Sequence, residues 1–307
     1  MLISRCLNIE NDGENYRKER IMKALVYGET IWDVFPEEQV IGGAPFNFSA
    51  HLAHLGNEAY LISAVGRDEL GQKALAMAAH HGVKTDLIQE NTYKTGACLV
   101  TLDEKGIPSY NVLTDVAYDH ITADEATINA IQGLHADMFY FNTLIQRCEE
   151  SRQSLIRILD TCEFPEIVCD INLRKDCFDC DSLALCMEKA TIVKISDEEG
   201  HFLYDLGLLE KSDADLPHAV AARYPNLKLV VCTLGKDGSV VLDTASGILY
   251  ESGKPAAVKV VSTVGAGDCF GATFASTYLN GGTIPDAIRA ATERSNIVVA
   301  HREAVPF

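Results

Sequence analysis

The sequence predicts an α/β protein: a mostly parallel central sheet with helices on both faces and a small β lid over one edge. Three observations lead there. Apolar strand-like runs alternate with amphipathic helical stretches along most of the 307 residues, and strand–helix alternation implies right-handed crossovers between parallel strands. Glycine-rich or polar turns follow successive strands in the same sense, at the edge where open α/β sheets bind ligands. Two regions break the rhythm with paired extended segments and no helix between them, which is the pattern of a β lid.

Taken in order, the run "KALVYGE" opens the sheet at Lys23. A helix follows over "PFNFSAHLAHLG", with Pro45 near its first turn and Gly56 as its stop. "EAYLISAVG" reads as a buried strand and "DELGQKALAMAAHHG" as the next helix, ending at a glycine. "ADMFYFN", "EIVCDIN", "ATIVKIS" and "LKLVVCTLG" are the later strands, most of them separated by helices. The lid is expected from segments near 31–41 ("IWDVFPEEQVIGG") and 96–115, where "GACLVTLDEKGIPSYNVL" reads as a hairpin around "DEKG". Residues 1–22 form a polar extension expected to be poorly ordered, and 23–307 a single domain with no internal repeat.

Composition narrows the function. A net charge of −18 argues against nucleic acid, whose phosphates are bound by clustered Lys and Arg. No run reaches the ~18 consecutive apolar residues of a membrane span, and the first stretch lacks the basic start and apolar segment of a signal peptide. The ten cysteines are scattered, so the reducing cytosol is the expected compartment. "CFDC" (Cys177 to Cys180) has no second ligand pair at zinc-site spacing and reads as reduced cysteines near a strand end. His51 and His54 in "HLAH" read as a surface pair.

Several turns carry chemistry. In "VSTVGAGDCF", Gly265 and Gly267 leave backbone amides unobstructed at the start of a helix, where the helix dipole also favours an anion. Asp268, in the first turn, is either a dipole partner or a group that takes a proton. "GGAPFN" supplies a second glycine pair, Gly42 and Gly43, with Asn47 one turn into the next helix, and an amide can donate to and accept from hydroxyls. Asp33, just past the first strand, can accept hydroxyl hydrogen bonds. "DINLR" places Asp170, Asn172 and Arg174 beyond a strand end, and "KISDEEG" places Asp197, Glu198 and Glu199 at a helix start, suited to a dipole or to hydrated magnesium. "CTLGKDGSVV" ends a strand at Gly235 and Gly238, as either a site turn or a plain hairpin.

Together these motifs resemble the ribokinase-like (PfkB) carbohydrate kinases, and within them the fructokinases. The resemblance runs from about Lys23 to the C-terminus, on two signatures in family order: "GGAPFNFSAHLAHLGNEAYLISAVGRDELG" and "VVSTVGAGDCFGATFAS". It implies a three-layer α/β/α fold with a β lid that often mediates homodimers. The implied reaction is phosphoryl transfer from ATP, with Mg2+, to a sugar hydroxyl. By match, Asp268 is the catalytic base, and Gly265, Ala266 and Gly267 form the anion hole with it. Asp33, Gly42, Gly43, Asn47, Asp170, Asn172 and Arg174 bind the substrate. Ser196, Thr233, Gly235, Gly238 and Gly267 border the nucleotide, and Glu199 orders Mg2+ through water.

"GETIWDVFP", "DINLR" and "KISDEE" look closest to fructokinases, so fructose is the first-choice substrate, followed by 2-keto-3-deoxygluconate and ribose. Ser262 stands where the family usually has an aspartate beside a monovalent cation, which leaves K+ unassigned; Ser196 replaces a common asparagine, and the usual glycine before Ala304 is missing. A dinucleotide-binding oxidoreductase would need G-x-G-x-x-G after the first strand, where "GETIWD" stands instead. A catalytically silent sugar-binding regulator is the remaining alternative, and an intact G-A-G-D weighs against it.

Overall fold

The computed structural model describes residues 21–102, 108–174, 176–210 and 214–307. Residues 1–20 of the expected polar extension and the "DEKG" turn of the lid lie outside the described residues.

The chain starts with β1 (Lys23–Tyr27), then enters the lid through β2 (Ile31–Val34) and β3 (Gln39–Gly42). It returns through α1 (Ala44–His54), β4 (Glu58–Gly66), α2 (Glu69–His80) and β5 (Ile88–Asn91). A second lid excursion is β6 (Gly96–Leu102) and β7 (Pro108–Val112). From there α3 (Glu125–Leu134), β8 (Met138–Asn142), α4 (Glu149–Thr161), β9 (Glu166–Asp170), α5 (Cys180–Lys189) and β10 (Ile192–Ser196) alternate strictly. Helices α6 (Asp197–Asp205) and α7 (Leu216–Arg223) precede β11 (Leu229–Thr233), β12 (Ser239–Asp243) and β13 (Ile248–Glu251). The chain closes with α8 (Ala266–Leu279) and α9 (Ile284–Val299).

The main sheet has nine strands in the order β13-β12-β11-β10-β9-β8-β1-β4-β5. From β5 to β11 every neighbour is parallel, and the β12–β13 hairpin closes one edge antiparallel. Alternate side chains of each strand feed opposite cores. Leu25, Tyr27, Phe139 and Phe141 pack with α4 and α5 on one face, and Val26, Met138 and Tyr140 pack with α1, α8 and α9 on the other. A strand buried on both faces must be apolar at every position, which is why these runs do not alternate in sequence. Among the described residues no helix is long and apolar enough to cross a membrane.

The lid is a four-stranded sheet ordered β3-β2-β6-β7, with two antiparallel hairpins joined through the parallel pair β2–β6. Its strands match the two segments that broke the α/β rhythm, and they leave and rejoin the main sheet where β1 and β5 end.

Candidate active site

Helix starts distinguish the site from the scaffold. Most first turns are closed by a side chain: Asp68 accepts the Gly71 amide at 2.8 Å for α2, and Thr283 and Asp286 form a reciprocal capping box for α9. Helix α8 is different. Its cap, Gly265, sits in the left-handed region at φ 78° and offers no side chain to the amides that follow. A β-carbon there would also lie 2.5 Å from the Ala304 Cβ, so glycine is required twice over. The Ala266 amide donates a long bond to the Thr263 carbonyl at 3.3 Å, and among the described residues no capping side chain covers the amides of Gly267 and Asp268, which open the helix at the positive end of its dipole.

Asp268 is half-buried at this start. Its Oδ2 accepts a hydrogen bond from Asn47 Nδ2 at 2.8 Å, which ties the G-A-G-D turn to the first turn of α1. Burial pushes the Asp268 carboxyl above its ordinary value, and the Asn47 amide, the Lys194 ammonium and the Arg174 guanidinium pull it back. Asn47 itself is buried, and its Oδ1 has no hydrogen-bond partner among the described residues. That is an acceptor suited to a ligand hydroxyl.

Beneath the turn lies a group to which no role was assigned from the sequence, although it opens the "KISDEE" motif. Lys194 of β10 is buried, stands opposite Asp170 in the parallel β9–β10 register, and donates to both Asp170 carboxylate oxygens at 2.9 Å. Burial raises the Asp170 carboxyl to about 6, against the pull of Lys194. The available signal was a lone lysine inside the otherwise apolar run "TIVKIS", since Lys is almost never buried unpaired.

Glu199 caps α6 with Ser196: Ser196 Oγ accepts the Glu199 amide at 3.2 Å and Glu199 Oε2 accepts the Ser196 amide at 2.9 Å. Its Oε1 accepts the Leu173 amide at 2.8 Å, which pins the "DINLR" loop to the same helix start. Each oxygen keeps a second lone pair, so the carboxylate can still hold a hydrated cation.

The other matched residues come from the lid, the start of α1, the loop after β9 and the ends of β10 and β11. Asp33 lies inside lid strand β2, not in the loop after β1 as its place in the sequence implied, because that strand begins only at Ile31. A β-carbon on Gly42 would stand 3.8 Å from Asp33 Oδ2, so the two adjoin. Gly43, at φ 100°, caps α1 without a side chain, and the Ala44 amide is instead held at 3.1 Å by Glu29 Oε1. Glu29 was also missed. It is buried, accepts from Asn142 Nδ2 with both oxygens, and is pushed up to about 7 by that burial. Arg174 is exposed, and its charge reaches Glu29, Asp33 and Asp268. Asn172 takes φ 42° and buries an Nδ2 with no partner among the described residues. Thr233 pairs with Ser196 at the strand ends. Gly235 and Gly238 bound the turn of the β11–β12 hairpin, Gly238 against the Gly253 backbone and the Ser252 side chain.

Two expectations fare differently. His51 is not on the surface: it is fully buried, and its Nε2 donates to the Ala304 carbonyl at 3.0 Å, anchoring the C-terminal tail against the Gly265 turn. Cys177 and Cys180 are free thiols in the loop and helix start after β9.

The model of the family described as "pfkB family carbohydrate kinase" matches residues 15–306. The chain belongs to the pfkB family of carbohydrate kinases. As a pfkB-family protein it is an enzyme of the carbohydrate kinase class. It is 28% identical over 279 residues to a fructokinase of Salmonella typhimurium, covering 84% of this chain and 85% of that one. It is 25% identical over 260 residues to an ATP-dependent 6-phosphofructokinase of Thermoanaerobacterium thermosaccharolyticum, covering 82% and 76%. The fructokinase of Vibrio cholerae O395, solved with fructose, ADP and calcium, superposes with a TM-score of 0.79 at 21% identity, over 93% of this chain and 95% of that one. This pfkB member therefore has the ribokinase-like fold.

Proposed function

We propose that this protein is an ATP-dependent sugar kinase that transfers the γ-phosphoryl group of ATP to a hydroxyl of fructose. The observation that carries the reading is the junction of Asp268 with Asn47 at the uncapped start of α8. There, one carboxylate faces both an anion hole and a helix turn suited to hydroxyls.

In this reading the sugar hydroxyl oxygen attacks the γ-phosphorus and the bond from that phosphorus to the β–γ bridging oxygen breaks. ADP leaves, and the hydroxyl proton passes to the Asp268 carboxylate. The amides of Ala266, Gly267 and Asp268 hold the charge of the transferring group. Asn47 and Asp33 hold sugar hydroxyls, and Gly42 and Gly43 let the sugar approach the backbone. Thr233, Gly235 and Gly238 border the nucleotide. The second lone pairs of Glu199 would order the water shell of a Mg2+ ion, which would supply neutralisation of phosphate charge.

Fructose is preferred because the "GETIWD", "DINLR" and "KISDEE" segments are fructokinase-like and because a fructokinase is among the relatives. One observation favours a second reading. Arg174 is exposed within charge range of Asp33, a position from which a guanidinium would meet an acidic or phosphorylated sugar such as 2-keto-3-deoxygluconate.

The test is ADP release from MgATP across fructose, fructose 6-phosphate, 2-keto-3-deoxygluconate and ribose, with and without K+. Fructose should give the highest kcat/KM, and Asp268→Asn should lower kcat by ~10²–10⁴-fold while nucleotide still binds. Full activity in Asp268→Asn, or no sugar-dependent turnover in the unmodified protein, would overturn the proposal.

A further inference from the structure

We infer that Lys194, held by Asp170, is a positioning residue that supplies the positive charge under the anion-hole turn and sets the protein's preference for the terminal phosphate. This rests on the kinase reading above and adds a residue to it.

The placement is specific. A β-carbon on Gly267 would stand 3.4 Å from Lys194 Nζ and 3.8 Å from its Cε, and one on Gly271 would stand 3.3 Å from its Cδ. Glycines one helical turn apart thus leave room for the lysine stem to run along the first turns of α8, ending in the ammonium directly below Gly267. Two of its donors go to Asp170 at 2.9 Å.

The charges around it explain why a lysine is there. Asp170 from β9, Glu199 from α6 and Asp268 from α8 all act on this ammonium. Cys232 on β11 also feels it, and Tyr140 on β8 faces Asp170 and Asp268. The thiol and the phenol are both pushed upward by burial and stay neutral. Among the described residues, three carboxylates therefore face the buried Lys194 ammonium, with Arg174 adding charge from the exposed side. Without Lys194, a phosphate arriving at the amides of Ala266–Asp268 would meet a floor of uncompensated negative charge. Stability does not account for the lysine, because a buried ion pair is commonly replaced by apolar residues with no loss. Its position does, since the charge lies where phosphoryl transfer concentrates negative charge.

The test uses Lys194→Met, Asp170→Asn and the double variant. Thermal midpoint, kcat and KM for the sugar, and affinities for a non-hydrolysable MgATP analogue and for MgADP are measured on each. Lys194→Met should lower kcat by ~10²-fold or more and reduce the preference for the ATP analogue over ADP by ~10-fold. The double variant, with no unpaired buried charge, should regain the thermal midpoint and keep both defects. A double variant that regains kcat and the nucleotide preference with its stability would show a purely structural pair and overturn the inference. So would a Lys194→Met protein with unchanged nucleotide preference. If the unmodified protein phosphorylates none of the sugars, the kinase reading fails, and the ratio of nucleotide affinities still decides the role of Lys194.

Discussion

Asn47 Nδ2 and Asp268 Oδ2 meet at 2.8 Å across 221 residues of sequence, joining the first turns of α1 and α8. This donor is one of the groups that hold Asp268 ionised against the burial that raises it. In Asn47→Ala the carboxyl should rise further, so the acid limb of the kcat/KM profile moves to higher pH. A hydrogen bond to a charged group is worth about 1.5–3 kcal/mol, so kcat/KM at neutral pH should fall ~10–100-fold. An acid limb that stays in place would show that the contact does not govern the protonation of Asp268.

Two buried groups give opposite pH slopes of stability. Glu29 is raised from 4.5 to about 7 by burial, so the folded chain keeps a proton that the unfolded chain has released, and stability falls as pH rises through that window. His51 is lowered from 6.5 to about 3, again by burial, so the unfolded chain takes up a proton that the folded chain refuses, and stability falls as pH drops through that window. Each contribution is on the order of a few kcal/mol. They overlap and oppose between 4.5 and 6.5, so single variants are needed to separate them. Urea midpoints from pH 4 to 8 should lose the neutral-side decline in Glu29→Gln and the acid-side decline in His51→Gln. An unchanged profile in either variant would refute that assignment.

The alternation of strands and helices was legible because a doubly buried parallel strand reads as a continuous apolar run, as β1 does from Ala24 to Tyr27 and β8 from Met138 to Phe141. The lid was legible as two interruptions of that rhythm. The site was legible in part: Gly265, Asp268 and Asn47 sit in turns whose residue types have few other uses. Lys194, Glu29 and His51 were not. Lys194 and His51 are polar side chains inside largely apolar elements and Glu29 lies in the loop between β1 and β2, and each partner comes from another segment: Asp170, the Ala304 carbonyl and the Ala44 amide. Local patterning records which face a residue takes, and not what it meets across the fold. His51 occupies the inward face of α1, and its burial depends on a tail more than two hundred residues away.

Glu199 carries structural and functional roles at once, and they can be separated. A glutamine offers one acceptor oxygen in place of two, so Glu199→Gln must give up the bond from either the Leu173 or the Ser196 amide. Loss of one such bond should cost about 1–3 kcal/mol. If the carboxylate also orders the water shell of Mg2+, the Mg2+ concentration for half-maximal activity should rise several-fold with the KM for sugar unchanged. A stability loss with an unaltered Mg2+ requirement would leave Glu199 as a helix cap alone.

Gly265 gives the sharpest test of the anion hole. Its φ of 78° disfavours any side chain, by about 1–2 kcal/mol for alanine, and a β-carbon at this position would fall 2.5 Å from Ala304 Cβ and 2.7 Å from Ala304 Cα. Gly265→Ala should therefore destabilise the protein twice, through backbone strain and through displacement of the tail that His51 anchors. Ala304→Gly removes the nearest atom without altering φ, so the double variant should regain part of the thermal midpoint. Activity should follow the turn instead. The amides of Ala266, Gly267 and Asp268 move with residue 265, so kcat should drop by ~10²-fold in Gly265→Ala and recover only as far as the backbone does. A destabilised Gly265→Ala protein with an unaltered kcat would mean that phosphate charge is held somewhere other than the start of α8.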